Sequence, residues 1–167
     1  MKNWLQPVAF AVIGIGFLTS ASIADAADPV KTRQAVMKEI STHVKAIGAY
    51  LKGHKDPKKA ARLGTPGDIE LRAMAVASLA KRLPSFFPKG TSLSDMPGKT
   101  RAKPDIWAQN DKFMAAAATL ETMANKVAEA AATGEKSKIA AAMKGLGKTA
   151  CGGCHSTFRG PKPKKSM

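Results

Sequence analysis

The chain has 167 residues and a formal net charge of +15, from 27 Lys and Arg against 12 Asp and Glu. With 44% apolar residues, 5% aromatics and two cysteines, it is too apolar for a disordered polymer, too poor in cysteine for a disulfide scaffold and too poor in aromatics for an all-β domain. Alanine runs at 115–118 and 130–132 point to an all-α fold, because alanine is the strongest helix former.

The first segment reads as an address. Lys2 gives a positive start, residues 8–18 are apolar, and Ala24-Asp25-Ala26 places small residues at the −3 and −1 positions of a cleavage site. This is the pattern of a secretory signal peptide over 1–26, and the apolar run is too short for a spanning helix. One domain is expected over 27–160, followed by a basic tail at 161–167. A chain of this length buries enough surface for one core.

Four amphipathic helices are predicted in the domain. The first covers about 29–51, where Val30, Met37, Val44 and Leu51 recur every seven residues and Arg33, Ile40 and Ile47 fill the places between. A Lys-, Pro- and Gly-rich loop over 54–67 precedes a second helix at 68–83, carried by Ile69, Val76 and Leu83. Pro84 and Pro88 end it, and 84–103 is the longest predicted loop. The third helix starts near Pro104 with Ile106, Phe113, Leu120 and Val127 in one row and closes at Thr133-Gly134. The fourth runs over 135–159 with Ile139, Met143, Leu146 and Ala150 on one face. These periods imply an antiparallel four-helix bundle.

The chemistry sits in the fourth helix, at Cys151-Gly152-Gly153-Cys154-His155. C-x-x-C-H is the attachment motif of haem c. Two thiols three residues apart reach the two vinyl groups of one porphyrin, and the adjacent imidazole reaches the iron from one face. On a helix these three positions project within about a third of a turn of one another. A thioredoxin-like dithiol needs a βαβ context that the sequence lacks. A zinc site needs a second pair of ligands, and only His43 and His54 remain. A disulfide across two residues of a helix would be strained. The signal peptide agrees with haem attachment, which bacteria complete outside the cytoplasm.

The residues around this motif resemble the class II cytochromes c, the family of cytochrome c′ and the low-spin cytochromes c-556. The resemblance rests on Arg33-Gln34-Ala35-Val36-Met37-Lys38, on Phe87-Pro88-Lys89-Gly90-Thr91, on the 99–107 segment from Lys99 to Trp107, and on the terminal block from Cys151 to Arg159. It implies a four-helix bundle with one haem c bound through Cys151 and Cys154, and His155 as an axial ligand.

Met37 has two readings: packing in the core, where Met is a common gap-filler, or ligation of iron opposite His155. Ligation would give a low-spin electron carrier. The family contains both kinds, so the resemblance leaves the choice open; Met74, Met114 and Met123 are less favoured ligands. Arg33 lies on the same helix face, where a charge needs a partner. A haem propionate is one; solvent reached by snorkelling is the other. Arg159 is expected to meet a propionate or cap its helix, Trp107 and Phe158 to pack in the core or against haem, and His43 and His54 to lie on the surface.

The leading expectation is a periplasmic monohaem carrier of single electrons; the alternative is a five-coordinate haem protein that binds NO or CO. No paired carboxylates or nucleophile–base constellation suggest an enzyme. The basic charge, dispersed and without a nucleic-acid motif, is read as steering toward acidic redox partners, with peripheral contact to anionic membrane as a further use. Monomer and homodimer are both compatible with the sequence.

Overall fold

Asp28 opens the first helix, α1 (Pro29–Lys52), by accepting hydrogen bonds at Oδ1 from Val30 N (2.9 Å) and Lys31 N (3.2 Å). The computed structural model describes residues 28–162; the signal peptide expected over 1–26 and the tail beyond Lys162 lie outside them. Gly53, at φ 67°, ends α1 in the left-handed region that a side chain would resist.

The loop expected at 54–67 carries a short helix, α2 (Pro57–Ala61), that periodicity cannot reveal at five residues. The second predicted helix begins earlier than expected, as α3 (Pro66–Arg82). A capping box explains the difference: Thr65 Oγ1 accepts from Asp68 N (3.3 Å) while Asp68 Oδ2 accepts from Thr65 N (2.7 Å). A 3₁₀ turn, Leu83–Phe86, then leads into the long loop.

The third helix is divided. Its start is a single turn, α4 (Asp105–Ala108), separated at Gln109 (φ −121°, ψ 49°) from α5 (Asn110–Ala132). Gly134, at φ 74°, follows as expected. The fourth is also interrupted: α6 (Lys136–Gly145) widens into a π-helical stretch, Leu146–Gly152, and regains α geometry in α7 (Gly153–Phe158). Among the described residues no strand forms; one isolated antiparallel bridge joins Ala102 and Arg159.

Ala73, Ala77 and Ala80 on α3 meet the Ala-rich face of α5, and these two helices form the largest contact of the bundle. Small side chains let the backbones approach closely. The chain of contacts α1–α3–α5–α6 closes back on α1 and makes the antiparallel four-helix bundle. Ile47, Ile69, Val76, Val127, Ile139 and Leu146 are fully buried, each contributing about 1.5–3 kcal/mol. On α1 the buried centre is Arg33, Ile40 and Ile47, joined by Val36 and Tyr50. Met37 and Val44 are only half-buried, because their side of the helix borders a cavity.

Candidate cofactor site

The start of α1, the end of α3, the start of α5 and the C-terminal α7 meet at one end of the bundle. A second hydrophobic cluster forms there, around Ala102, Ile106, Phe113 and Phe158. Phe113 makes edge contacts with Phe87 (4.9 Å between centroids) and with Phe158 (5.4 Å). The Trp107 indole donates to the Phe87 carbonyl at 3.0 Å. Phe158 and Trp107 are thus packing residues, as the sequence suggested.

This framework surrounds a cavity of about 510 Å³ that continues into a second of about 220 Å³. Met37, Ser41, Leu83, Phe113, Cys154 and His155 line both. Arg33 and Arg159 lie on the larger, and Cys151 on the smaller. Four of the predicted site residues from the two ends of the chain, Met37, Cys151, Cys154 and His155, therefore share one space. Met37 is the only methionine among the described residues on either wall; Met74 and Met114 are exposed.

Both thiols are free and half-buried. Cys151 lies in the π-helical stretch and Cys154 in α7, so the motif does not occupy the regular α-helix that the spacing argument assumed. Wide π turns recur at functional sites, and the glycines at 145, 147, 152 and 153 here suit one. Burial raises the pKa of both thiols; for Cys154 the neighbouring Cys151 adds to the rise and Arg159 opposes it. Burial also lowers the pKa of His155, helped by the charges of Arg159 and Arg101. A neutral imidazole is the form that binds metal.

Arg33 is 4% exposed. Its Nη1 donates to Thr91 Oγ1 (2.8 Å), and its Nη2 donates to the Thr91 carbonyl (2.6 Å) and to Thr100 Oγ1 (2.6 Å). The guanidinium lies 4.8 Å from the centre of the Phe87 ring. Burial lowers its pKa, with Asp28 opposing. Arg33 does not snorkel to solvent, and no ion pair among the described residues neutralises it. A buried cation on a cavity wall, short of an anion, fits the carboxylate of a haem propionate. With two thiols, an imidazole and an apolar chamber, the residues present fit haem c.

Arg101 and the Thr91–Thr100 pair were not singled out from sequence. Their signal was available: both threonines fall in the segments that carry the family resemblance. Arg159 is the C-cap of α7 and also lines the larger cavity. His54 is exposed, but His43 is half-buried with Nδ1 unpartnered, so the expected surface position holds only for His54.

A profile of the family described as Cytochrome C′ matches residues 28–159. A cytochrome c′ of Rhodospirillum rubrum is 36% identical over 151 residues, covering 89% of this chain and 95% of the relative. A cytochrome c-556 of Agrobacterium fabrum is 34% identical over 134 residues, covering 80% and 82%. A solved cytochrome c′ with ligand-controlled dimer dissociation superposes with a TM-score of 0.67 at 27% identity, covering 80% of this chain and 95% of its own.

Proposed function

The chain belongs to the cytochrome c′ family of covalent haem c proteins, and from that premise we propose a periplasmic carrier of single electrons with Met37 as the sixth ligand of its iron. The observation that carries the proposal is the position of Met37, on the walls of both cavities together with His155. The relative named cytochrome c-556 supports the same reading.

When bound, haem supplies a one-electron iron couple. Cys151 and Cys154 would hold the macrocycle covalently. His155 would ligate the iron in its neutral form. Arg33 would offer its guanidinium to a propionate while keeping Thr91 and Thr100 as anchors. Leu83, Phe113 and Phe158 give the chamber an apolar wall, and low polarity around a haem tunes its potential.

A second reading is a five-coordinate haem that binds NO or CO. The relatives named cytochrome c′ favour it, as does the space beyond Met37 between Val44, Ala117 and Leu120. The absorption spectrum of the ferrous, haem-loaded protein separates the two. A sharp low-spin spectrum indifferent to CO supports the carrier; a broad high-spin spectrum that shifts with CO supports the gas-binding reading.

Export follows from the sequence features at 1–26 and is part of the proposal. So is an acidic redox partner, drawn by exposed Lys99 on the cavity wall and by exposed Lys89, two residues beyond Phe87 of the same wall. The solved relative forms a dimer; exposed Leu71 (67%) and Met74 (51%) on α3 would give this chain an apolar pairing face.

A further inference from the structure

A second basic surface lies at the end of the bundle opposite the haem chamber. Between the end of α1 and the start of α3, Lys52, Lys55, Lys58, Lys59 and Arg62 fall within residues 52–62, and all are exposed. None takes part in an ion pair among the described residues. The one acid in the segment, Asp56, is engaged: its Oδ1 accepts from Lys58 N (2.8 Å) and Lys59 N (3.3 Å) to cap α2. Lys136 extends the positive field from the start of α6, where its Nζ sits 4.8 Å from the Tyr50 ring. Lys52, Lys58 and Lys59 stand in the last turns of α1 and α2, where a cation suits the helix dipole, but their charged ends stay exposed. The five basic residues from Lys52 to Arg62 fall within eleven positions, with one acid among them.

We propose that this end of the bundle is a docking surface for an anionic phospholipid bilayer. Two observations favour a bilayer over an acidic protein. The segment exposes Lys, Arg, His, Pro, Ala and the single acid Asp56, and no large apolar or aromatic side chain. Protein interfaces depend on a buried core of such anchors, whereas a headgroup layer attracts basic residues by charge alone. The surface also lies at the pole away from Cys151, Cys154 and His155. Docking there holds the protein at the membrane and leaves the haem end turned outward for redox partners. The biological setting rests on the export reading; the surface itself does not depend on which ligand fills the sixth position.

The test is co-sedimentation of the haem-loaded protein with vesicles of one part phosphatidylglycerol to two parts phosphatidylcholine. Two variants carry the same change in net charge. One is Lys55→Gln, Lys58→Gln and Lys59→Gln at the docking end; the other is Lys38→Gln, Lys89→Gln and Lys99→Gln at the haem end. An unchanged absorption spectrum shows that each is folded. Partition of the docking-end variant is expected to fall about a hundredfold at low salt, from the loss of three cations near the membrane. The haem-end variant should keep partition within a few-fold of the parent. Equal losses in the two variants would reduce the effect to net charge and overturn the proposal. So would a larger loss at the haem end, parent protein that ignores anionic vesicles, or retention on polyglutamate without retention on vesicles.

Discussion

Arg101 and Gly160 hold one another in both directions. Gly160 N donates to the Arg101 carbonyl at 2.7 Å, and the Arg101 guanidinium donates back to the Gly160 carbonyl, with Nε at 2.8 Å, and to that of Pro161 at 2.9 Å. Lys103 N donates to the Phe158 carbonyl (3.0 Å) in the same stretch, and Leu93 N donates to that of Ala102 (2.7 Å). The long loop is thereby fastened to the segment that follows the haem motif, and α7 is fixed at its C-terminal end. His155 is positioned by this clasp as well as by its own helix.

Arg101→Ala should therefore destabilise the haem-loaded protein by about 1–3 kcal/mol, the range for losing charge-assisted hydrogen bonds. Denaturant unfolding followed by circular dichroism measures it. A loss below a few tenths of a kcal/mol would show that the backbone bridge holds the tail without the arginine.

Gly160→Ala tests the same contact sterically. A Cβ at this position would lie 3.0 Å from Leu93 Cδ2 and 3.4 Å from the Arg101 carbonyl oxygen. Accommodating it requires the clasp to open or Leu93 to turn, at a cost of about 1–3 kcal/mol. Gly48→Ala, inside α1 and away from the haem motif, is the control: nothing lies within 4 Å of its Cβ position, and only a small change, in the stabilising direction, is expected there.

Arg33→Leu removes a buried cation beside the chamber and leaves Thr91 and Thr100 without their donor. Stability should fall by about 2–3 kcal/mol. The reduction potential should also fall, because a nearby positive charge favours the iron state with the lower positive charge. A redox titration that shows an unchanged or higher potential would remove Arg33 from the electrostatic environment of the haem.

The capping box predicts a pH dependence. Hydrogen bonds from the Thr65 backbone and hydroxyl hold the Asp68 carboxyl below the usual aspartate value. A folded-state pKa below the unfolded one adds stability that is complete above the unfolded value and lost as pH falls through the folded one. Asp68→Asn should lower the unfolding midpoint at neutral pH, and the gap from the parent should close in acid. A gap that widens in acid would contradict this sign.

The bundle was readable from its periods because Ile69, Val76 and Leu83, or Ile106, Phe113, Leu120 and Val127, repeat at the spacing that faces a core. The breaks were not. Gln109 and the π stretch at Leu146–Gly152 depend on how the segments meet the chamber, which local propensity does not encode. The site was legible where chemistry is local, as at Cys151, Cys154 and His155. Arg33 was legible as a charge on an apolar stripe, but Thr91 and Thr100, its partners 58 and 67 residues away, required the folded loop.

The sixth ligand is the centre of the functional account, and CO binding by the ferrous protein before and after Met37→Ala tests it most directly. The account predicts that the parent excludes CO, and that the variant turns high-spin, binds CO and shows a lower reduction potential. A parent that already binds CO, with a spectrum unaltered by Met37→Ala, would contradict it.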